Sequence, residues 1–179
     1  MPKPIGFGTY QASPDTHFFL MEYADMIQYV PTPDAYVAPI AALHLRSMGK
    51  SPTGKFGFPV KTRFGSLTQT NDWESSWEVF WTKLMRRILN TEEKVRGPHG
   101  PELSKLLGIY FDKVLPRYLR PLETGGRSIK PCLLHTDLWP GNVMYRADES
   151  SVCVFDASGM WGHNERQYPS QYFSGSKSF

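Results

Sequence analysis

The chain has 179 residues, with 20 lysines and arginines against 17 aspartates and glutamates, so its net charge is +3. A chain of this length can bury one hydrophobic core, which predicts a single domain. Positive and negative residues are interspersed, so the sequence predicts no nucleic-acid partner. It has neither an apolar run of the roughly 18 residues that cross a membrane nor an apolar leader, which predicts a cytoplasmic protein with no membrane partner.

Four stretches have the apolar spacing of regular secondary structure. Residues 16–23 (THFFLMEY) form an apolar run of strand length. Residues 39–48 predict a helix, because Pro39 suits a first helical turn. Residues 75–89 and 101–115 each place apolar side chains on one helical face, so both are predicted to be core helices.

Residues 135–142 (HTDLWPGN) combine His135, Asp137 and Asn142 in the order H-x-D-x-x-x-x-N. Phosphoryl transfer from ATP needs a carboxylate beside the attacking hydroxyl and two oxygen-donor side chains for Mg²⁺. In protein kinases, a loop of this spacing followed by a metal-binding aspartate supplies those groups. Here Asp156 follows a short apolar run further along the chain. The spacing therefore favours a phosphotransferase site.

The interval between Asn142 and Asp156 suits a β-hairpin, with strands at 142–146 and 151–155 around a polar turn at 147–150. Such a hairpin would bring Asp156 beside Asn142. Each of these residue types alone is more often structural, because buried His and Asp commonly form hydrogen bonds and Asn commonly occupies turns. The combined spacing instead favours chemistry.

Residues 131–165 (PCLLHTDLWPGNVMYRADESSVCVFDASGMWGHNE) resemble the fructosamine kinase family, the ketosamine or protein-ribulosamine 3-kinases. The family pattern is LLHGDLWxGN followed by FDPAxxxGHxE, and the family belongs to the aminoglycoside phosphotransferase branch of the protein-kinase-like fold. Most of residues 18–165 resembles it, because a second match includes Phe56-Gly57-Phe58, Gly65, Asn71-Asp72-Trp73, Trp77 and Phe80.

Two positions depart from the family pattern. Thr136 stands where the family mostly has glycine, and its β-branched side chain restricts the backbone. Ala157 stands where the family usually has proline. Neither departure removes a functional group.

The resemblance implies an α+β fold: a protein-kinase-like C-lobe, mostly helical, with a hinge strand and a catalytic β-hairpin, and with the N-lobe absent. Residues 1–17 are then an N-terminal extension and residues 18–165 a partial kinase-like domain. Residues 166–179 are expected to be a disordered tail, because they are rich in Ser and Gln without apolar periodicity. The chain is therefore expected to be truncated at both ends. The hinge strand would lack a partner sheet, and the apolar residues 18–20 would face water.

The resemblance also implies roles for the residues of the catalytic loop. Asp137 is expected to orient the sugar hydroxyl and accept its proton. Asn142 and Asp156 are expected to hold Mg²⁺ bridging the ATP phosphates. His44 and His135 are expected to support the loop structurally.

Two further regions are implied to contact the ligands. Main-chain atoms of the hinge are expected to bind the adenine of ATP at Met21, Glu22, Tyr23 and Ala24. The alternative for this segment is an ordinary buried strand edge. Trp139 is expected to stack on the substrate sugar, and its alternative is packing under the loop.

The implied function is ATP-dependent phosphorylation of ketosamines at the sugar O3, with ATP and Mg²⁺ as cofactors. The partner would be a glycated protein or a small-molecule ketosamine. Because the N-lobe is expected to be absent, residues 1–179 alone are expected to be poorly soluble and inactive. One alternative to this function is a non-catalytic truncated remnant. Another is a phosphotransferase of the same fold acting on an aminoglycoside, choline or a homoserine, against which the DLWxGN and NDW elements argue.

Cys132 and Cys153 are expected to be buried free thiols.

Overall fold

The computed structural model describes residues 1–27, 29, 31–65, 67–148 and 151–167. The chain divides into two compact units, each built from separate segments. Residues 1–41 and 137–157 form the first unit, and residues 42–136 and 158–167 form the described part of the second. Each unit has its own cluster of buried apolar side chains, where the chain length had predicted a single core. The predicted domain boundaries after residues 17 and 165 stay predictions.

A long, exposed hairpin begins the first unit. Strand β1 (Pro4–Tyr10) pairs antiparallel with β2 (Ser13–Met21), and every residue of β2 is exposed. The exposure of residues 18–20 is therefore confirmed. The expectation that the hinge strand has no partner was wrong, because β1 supplies one from within the predicted N-terminal extension.

A three-stranded sheet carries the rest of the first unit, in the order β3 (Met26–Ile27), β7 (Val143–Arg146), β8 (Val152–Val154). The predicted hairpin is confirmed, since β7 pairs antiparallel with β8. A 3₁₀ turn, Pro140–Asn142, leads directly into β7. The cluster of buried side chains consists of Tyr36, Ile40, Leu138, Val143 and Val154.

Helix α1 spans Pro33–Ser47, so it begins six residues before the predicted start. The prediction was wrong because Pro39, taken as a first-turn residue, lies inside the helix. Pro33 occupies that first position instead, where a missing N–H costs no helical hydrogen bond. Helix α1 belongs to the first unit through Ala41 and to the second from Ala42.

The second unit is organised around helix α2 (Trp77–Arg96). Its predicted apolar stripe is confirmed: Trp77, Phe80 and Leu84 are buried in one cluster with Phe56, Cys132, Leu134 and Met160. The Glu123 carboxylate accepts hydrogen bonds from the main-chain N–H groups of Trp77 and Glu78 at the start of the helix. A negative charge there stabilises the helix, because the first N–H groups have no partner within it.

The helix predicted at 101–115 is interrupted. Helix α3 (Pro101–Ile109) passes into a wide π-helical turn, Tyr110–Val114, before helix α4 (Leu115–Leu119) and a 3₁₀ turn, Arg120–Glu123. The interruption has a local cause. Pro116 has no N–H to donate to the preceding turn, and its ring crowds the carbonyl four residues earlier.

Two short strand pairs complete the second unit: β4 (Arg63–Phe64) with β5 (Leu67–Thr68), and β6 (Cys132–Leu134) with β9 (Met160–Gly162). The FGF and NDW elements also meet there, because Phe58 N–H donates to the Asn71 carbonyl at 2.8 Å. A Cβ at Gly57 would lie 2.8 Å from that same carbonyl oxygen, so this close approach requires glycine.

The predicted disordered tail is only partly described. Asn164–Arg166 form a 3₁₀ turn and Gln167 makes hydrogen bonds, so the prediction was wrong for residues 166 and 167. Residues 168–179 lie outside the described residues.

Cys132 and Cys153 are confirmed as buried free thiols, and burial raises the pKa of Cys132 to about 11. Among the described helices, none is both long and apolar enough to span a membrane.

Candidate functional site

Asn142 lies at the centre of the candidate site, within the first unit. Its side chain is buried, and Nδ2 donates to the Asp137 carbonyl at 2.9 Å and to Asp137 Oδ2 at 3.3 Å. The same Nδ2 lies 3.4 Å from the Asp156 carbonyl oxygen. One amide group therefore joins the three residues that the sequence singled out.

The β7–β8 hairpin brings Asp156 to this position. Phe155 N–H donates to the Asn142 carbonyl at 3.1 Å, which closes the hairpin directly before Asp156. Asp156 has a φ of 55°, in the left-handed region that non-glycine residues seldom occupy. Such a conformation costs on the order of 1–3 kcal/mol and occurs most often at functional sites.

The groups at this site suit a magnesium ion. The three Asn142 contacts are all made by Nδ2, so the carbonyl oxygen Oδ1, the atom that would bind a cation, takes part in none of them. Asp156 is exposed and adds a carboxylate. The described residues contain no group of three His, Cys, Asp or Glu side chains that could enclose a metal. Mg²⁺ needs no such cage, since it is commonly bound by one or two carboxylates together with substrate phosphates and water.

Trp139 packs on the loop, which was the alternative arrangement, and its stacking on a sugar stays a prediction. Its ring lies against Gly141, where a Cβ would be 2.3 Å from the ring carbon Cη2. The residue is nevertheless 47% exposed. The indole therefore packs on Gly141, while about half of the residue's surface is accessible to solvent.

The predicted hinge begins at Met21, the last residue of β2. Met21, Glu22 and Tyr23 are exposed, whereas Ala24 is buried. The Glu22 N–H donates to the Lys3 carbonyl at 2.8 Å, so this N–H is engaged within the hairpin. Its first three residues are thus exposed, and its predicted contact with the adenine stays a prediction.

The two histidines predicted to support the loop lie in the second unit. His135 is buried, and its main-chain N–H donates to Gln167 Oε1 at 2.6 Å. His44 is half-buried in α1, and burial lowers its pKa below the ordinary value while the nearby Gln167 side chain opposes part of that shift. Both histidines therefore interact with Gln167, which the sequence had predicted to lie in a disordered tail.

Thr136 has a φ of 59°, again in the left-handed region. Its hydroxyl Oγ1 donates to the Ser158 carbonyl at 2.8 Å. The sequence identified Thr136 as a departure from glycine but did not predict its partner. Ser158 and Gln167 were missed altogether, because hydrogen bonds between distant segments leave no spacing pattern.

The model of the fructosamine kinase family matches residues 1–174, so the chain belongs to this family. The family was correctly identified from the sequence motifs. Ketosamine-3-kinase of Mus musculus is 36% identical over 111 residues, which cover 62% of this chain and 33% of the mouse protein. The chloroplastic protein-ribulosamine 3-kinase of Arabidopsis thaliana is 32% identical over 136 residues, which cover 76% of this chain and 38% of the plant protein.

A solved structure supports the mixed α+β fold. The "putative fructosamine-3-kinase" of Thermobifida fusca matches with a TM-score of 0.61 and 28% identity. The match covers 92% of this chain and 50% of that one. The chain thus spans half or less of the length of these relatives.

Proposed function

We propose that this chain carries the phosphoryl-transfer site of a ketosamine 3-kinase, which uses ATP to phosphorylate the sugar O3. The observation that carries the proposal is the Asn142 amide, which joins Asp137 and Asp156 in one group. Membership of the fructosamine kinase family supports the substrate class, and the matched mouse and Arabidopsis proteins are named as kinases of ketosamines and ribulosamines.

In the proposed reaction, the Asp137 carboxylate receives the proton of the sugar 3-hydroxyl. The hydroxyl oxygen forms a bond to the γ-phosphorus, the bond between that phosphorus and the β,γ-bridging oxygen breaks, and ADP leaves. Asn142 Nδ2, 3.3 Å from Asp137 Oδ2, orients the carboxylate for this task. Since positioning and charge stabilisation provide most of the catalysis of phosphoryl transfer, a fixed carboxylate is an advantage.

Asn142 Oδ1 and the Asp156 carboxylate would hold the magnesium ion. When bound, this ion neutralises negative charge on the phosphates. The left-handed backbone at Asp156 directs that carboxylate, and the β7–β8 hairpin keeps it next to Asn142.

We further propose that the described fold corresponds to the hinge and C-lobe of the kinase-like fold. The segment from Met21 to Ala24 would then contact the adenine through main-chain atoms other than the Glu22 N–H, which is already engaged. The exposed part of Trp139 would stack on the substrate sugar.

The test is an assay of the 179-residue chain with Mg·ATP and a fructosyl-lysine peptide, followed by ³¹P and ¹H NMR of the product. The sequence led us to expect that residues 1–179 alone are inactive. Because Asn142 joins Asp137 and Asp156 in one group, we now expect a product with a phosphorus resonance coupled to the proton on C3 of the sugar. Choline, a homoserine and an aminoglycoside serve as competing acceptors. Faster phosphorylation of any of these, or no transfer to the ketosamine, would contradict the proposal.

A further inference from the structure

A buried polar network surrounds Ser158 in the second unit, which we call the Ser158 network and define as Thr136, Ser158, Gln69 and Gln167. Thr136, Ser158 and Gln69 are each almost fully buried. Buried polar groups are costly unless they are paired. A network of this kind therefore holds its members in one arrangement.

Thr136 is the member under strain. The left-handed region is unfavourable for a β-branched residue, because the side chain crowds its own backbone. Two hydrogen bonds oppose that cost: Thr136 Oγ1 donates to the Ser158 carbonyl at 2.8 Å, and Thr136 N–H donates to Gln167 Oε1 at 3.3 Å. A glycine would adopt this backbone without help, whereas threonine needs its hydroxyl bond.

Ser158 is a firmly held acceptor for that bond. Its N–H donates to the His135 carbonyl at 3.0 Å, and its hydroxyl accepts a hydrogen bond from Gln69 Nε2 at 2.7 Å. The same hydroxyl donates to the Arg63 carbonyl. Because these bonds reach both the main chain of His135 and the β4–β5 region, the Ser158 carbonyl has little freedom to follow a movement of Thr136.

Thr136 directly precedes Asp137, so its φ and ψ set the direction in which the chain enters the catalytic residue. We propose that the Thr136 hydroxyl, bonded to the Ser158 carbonyl, is a positioning group for Asp137 that replaces the conformational freedom of a glycine. This inference rests on the proposed function, since it assigns to Asp137 the role of proton acceptor. Thr136 itself touches no substrate and acts through the backbone.

The decisive comparison is between Thr136→Val and Thr136→Ser in the 179-residue chain. Valine keeps the branched shape and removes the hydroxyl, whereas serine keeps the hydroxyl. For Thr136→Val we expect kcat to fall by at least about tenfold with the KM values for ATP and ketosamine unchanged, since a displacement of about 1 Å at a catalytic group can cost 10²-fold. Thr136→Ser should restore most of the lost turnover. Thr16→Val, in the exposed strand β2, is the control and should match the wild type.

A second readout does not depend on activity. The intraresidue HN–Hα NOE of residue 136, which is strong only at positive φ, and its one-bond Cα–Hα coupling report the sign of φ. We expect a positive φ in the wild type and in Thr136→Ser, and a negative φ in Thr136→Val. If Thr136→Val does not fold, Thr136→Ala replaces it in the same comparison with serine, because both lack the γ-methyl group.

Three results would overturn the inference. They are an unchanged φ in the hydroxyl-free variant, an equal loss of kcat in the valine and serine variants, and a changed φ with undiminished kcat. If the wild-type chain transfers no phosphate, the proposed function fails. The coupling comparison then decides by itself whether the hydroxyl holds the backbone that leads into Asp137.

Discussion

The first unit contains two antiparallel hairpins that differ in length and burial. Strands β1 and β2 have seven and nine residues and leave most of their side chains exposed, including Phe7, Phe19 and Leu20. Strands β7 and β8 have only four and three residues, yet Val143 and Val154 are buried in the core of the unit. The comparison teaches that strand length and apolar content do not decide burial. A packing partner does, and the candidate site lies on the hairpin that has one.

The largest expected effect is a loss of turnover, which should follow from a change at Asp137 and not from a change in β2. Asp137→Asn should lower kcat about 10²–10⁴-fold, because it removes the proposed proton acceptor and leaves the metal ligands in place. The affinity for Mg·ATP should change little. Steady-state kinetics with a fructosyl-lysine peptide measures the first quantity and titration calorimetry the second. Asp15→Asn, at an exposed carboxylate of β2, is the matched control. Retention of more than about a tenth of wild-type turnover in Asp137→Asn would remove Asp137 from the role.

A pair of leucines tests the difference in burial directly. Leu138 packs in the core beside β7 and is 4% exposed, whereas Leu20 in β2 is 54% exposed. Leu138→Ala should lower the free energy of unfolding by about 2–5 kcal/mol, because it leaves a cavity. Leu20→Ala should change it by no more than about 0.5 kcal/mol. Urea denaturation of both variants gives the two values, and equal losses would show that the hairpins are equally packed.

The third prediction concerns the metal ligand at the end of the β7–β8 hairpin. Asp156→Ala should weaken Mg²⁺-dependent nucleotide binding by at least about 10–100-fold, the loss typical even of an outer partner of a metal site, because it removes the only charged side chain proposed to hold the ion. Calorimetric titration of ATP with and without Mg²⁺ measures the change. Equal Mg·ATP affinities in variant and wild type would exclude Asp156 as a ligand.

The smallest effect is expected on the exposed hairpin. Phe19→Lys should leave stability nearly unchanged but reduce self-association, because a charge on an exposed strand opposes edge-to-edge pairing. Light scattering at increasing protein concentration measures it. Phe19→Leu, which keeps the apolar character, should associate as the wild type does. If both variants scatter alike, the exposed apolar side chains of β2 do not drive association.

Local spacing in the sequence predicted much of the molecule. The interval between Asn142 and Asp156, with its polar turn, predicted the hairpin, and the 3.6-residue period of residues 75–89 predicted the buried face of α2. The spacing of Asp137, Asn142 and Asp156 predicted that they would lie together, and one amide does join them. Their roles stay predictions. These features are readable because each depends on residues that are close in sequence.

The predictions from the sequence were wrong where one local pattern was compatible with two backbone structures. Pro39 and Pro33 both suit a first helical turn, and the structure places the helix start at Pro33. The apolar stripe of residues 101–115 continues through the π-helical turn before Pro116, so the stripe alone could not reveal the interruption. In both places the backbone geometry imposed by a proline decided the outcome.

The sequence by itself determined the family, the spacing of the candidate site residues and the amphipathic helix, because motif and periodicity are properties of short segments. Tertiary structure alone decided that Gln167 binds the main chain of His135 and that Ser158 supports Thr136. Each of these contacts depends on where the chain turns back on itself. A hydrogen bond between segments 22 or more residues apart requires the fold before its partners can be paired.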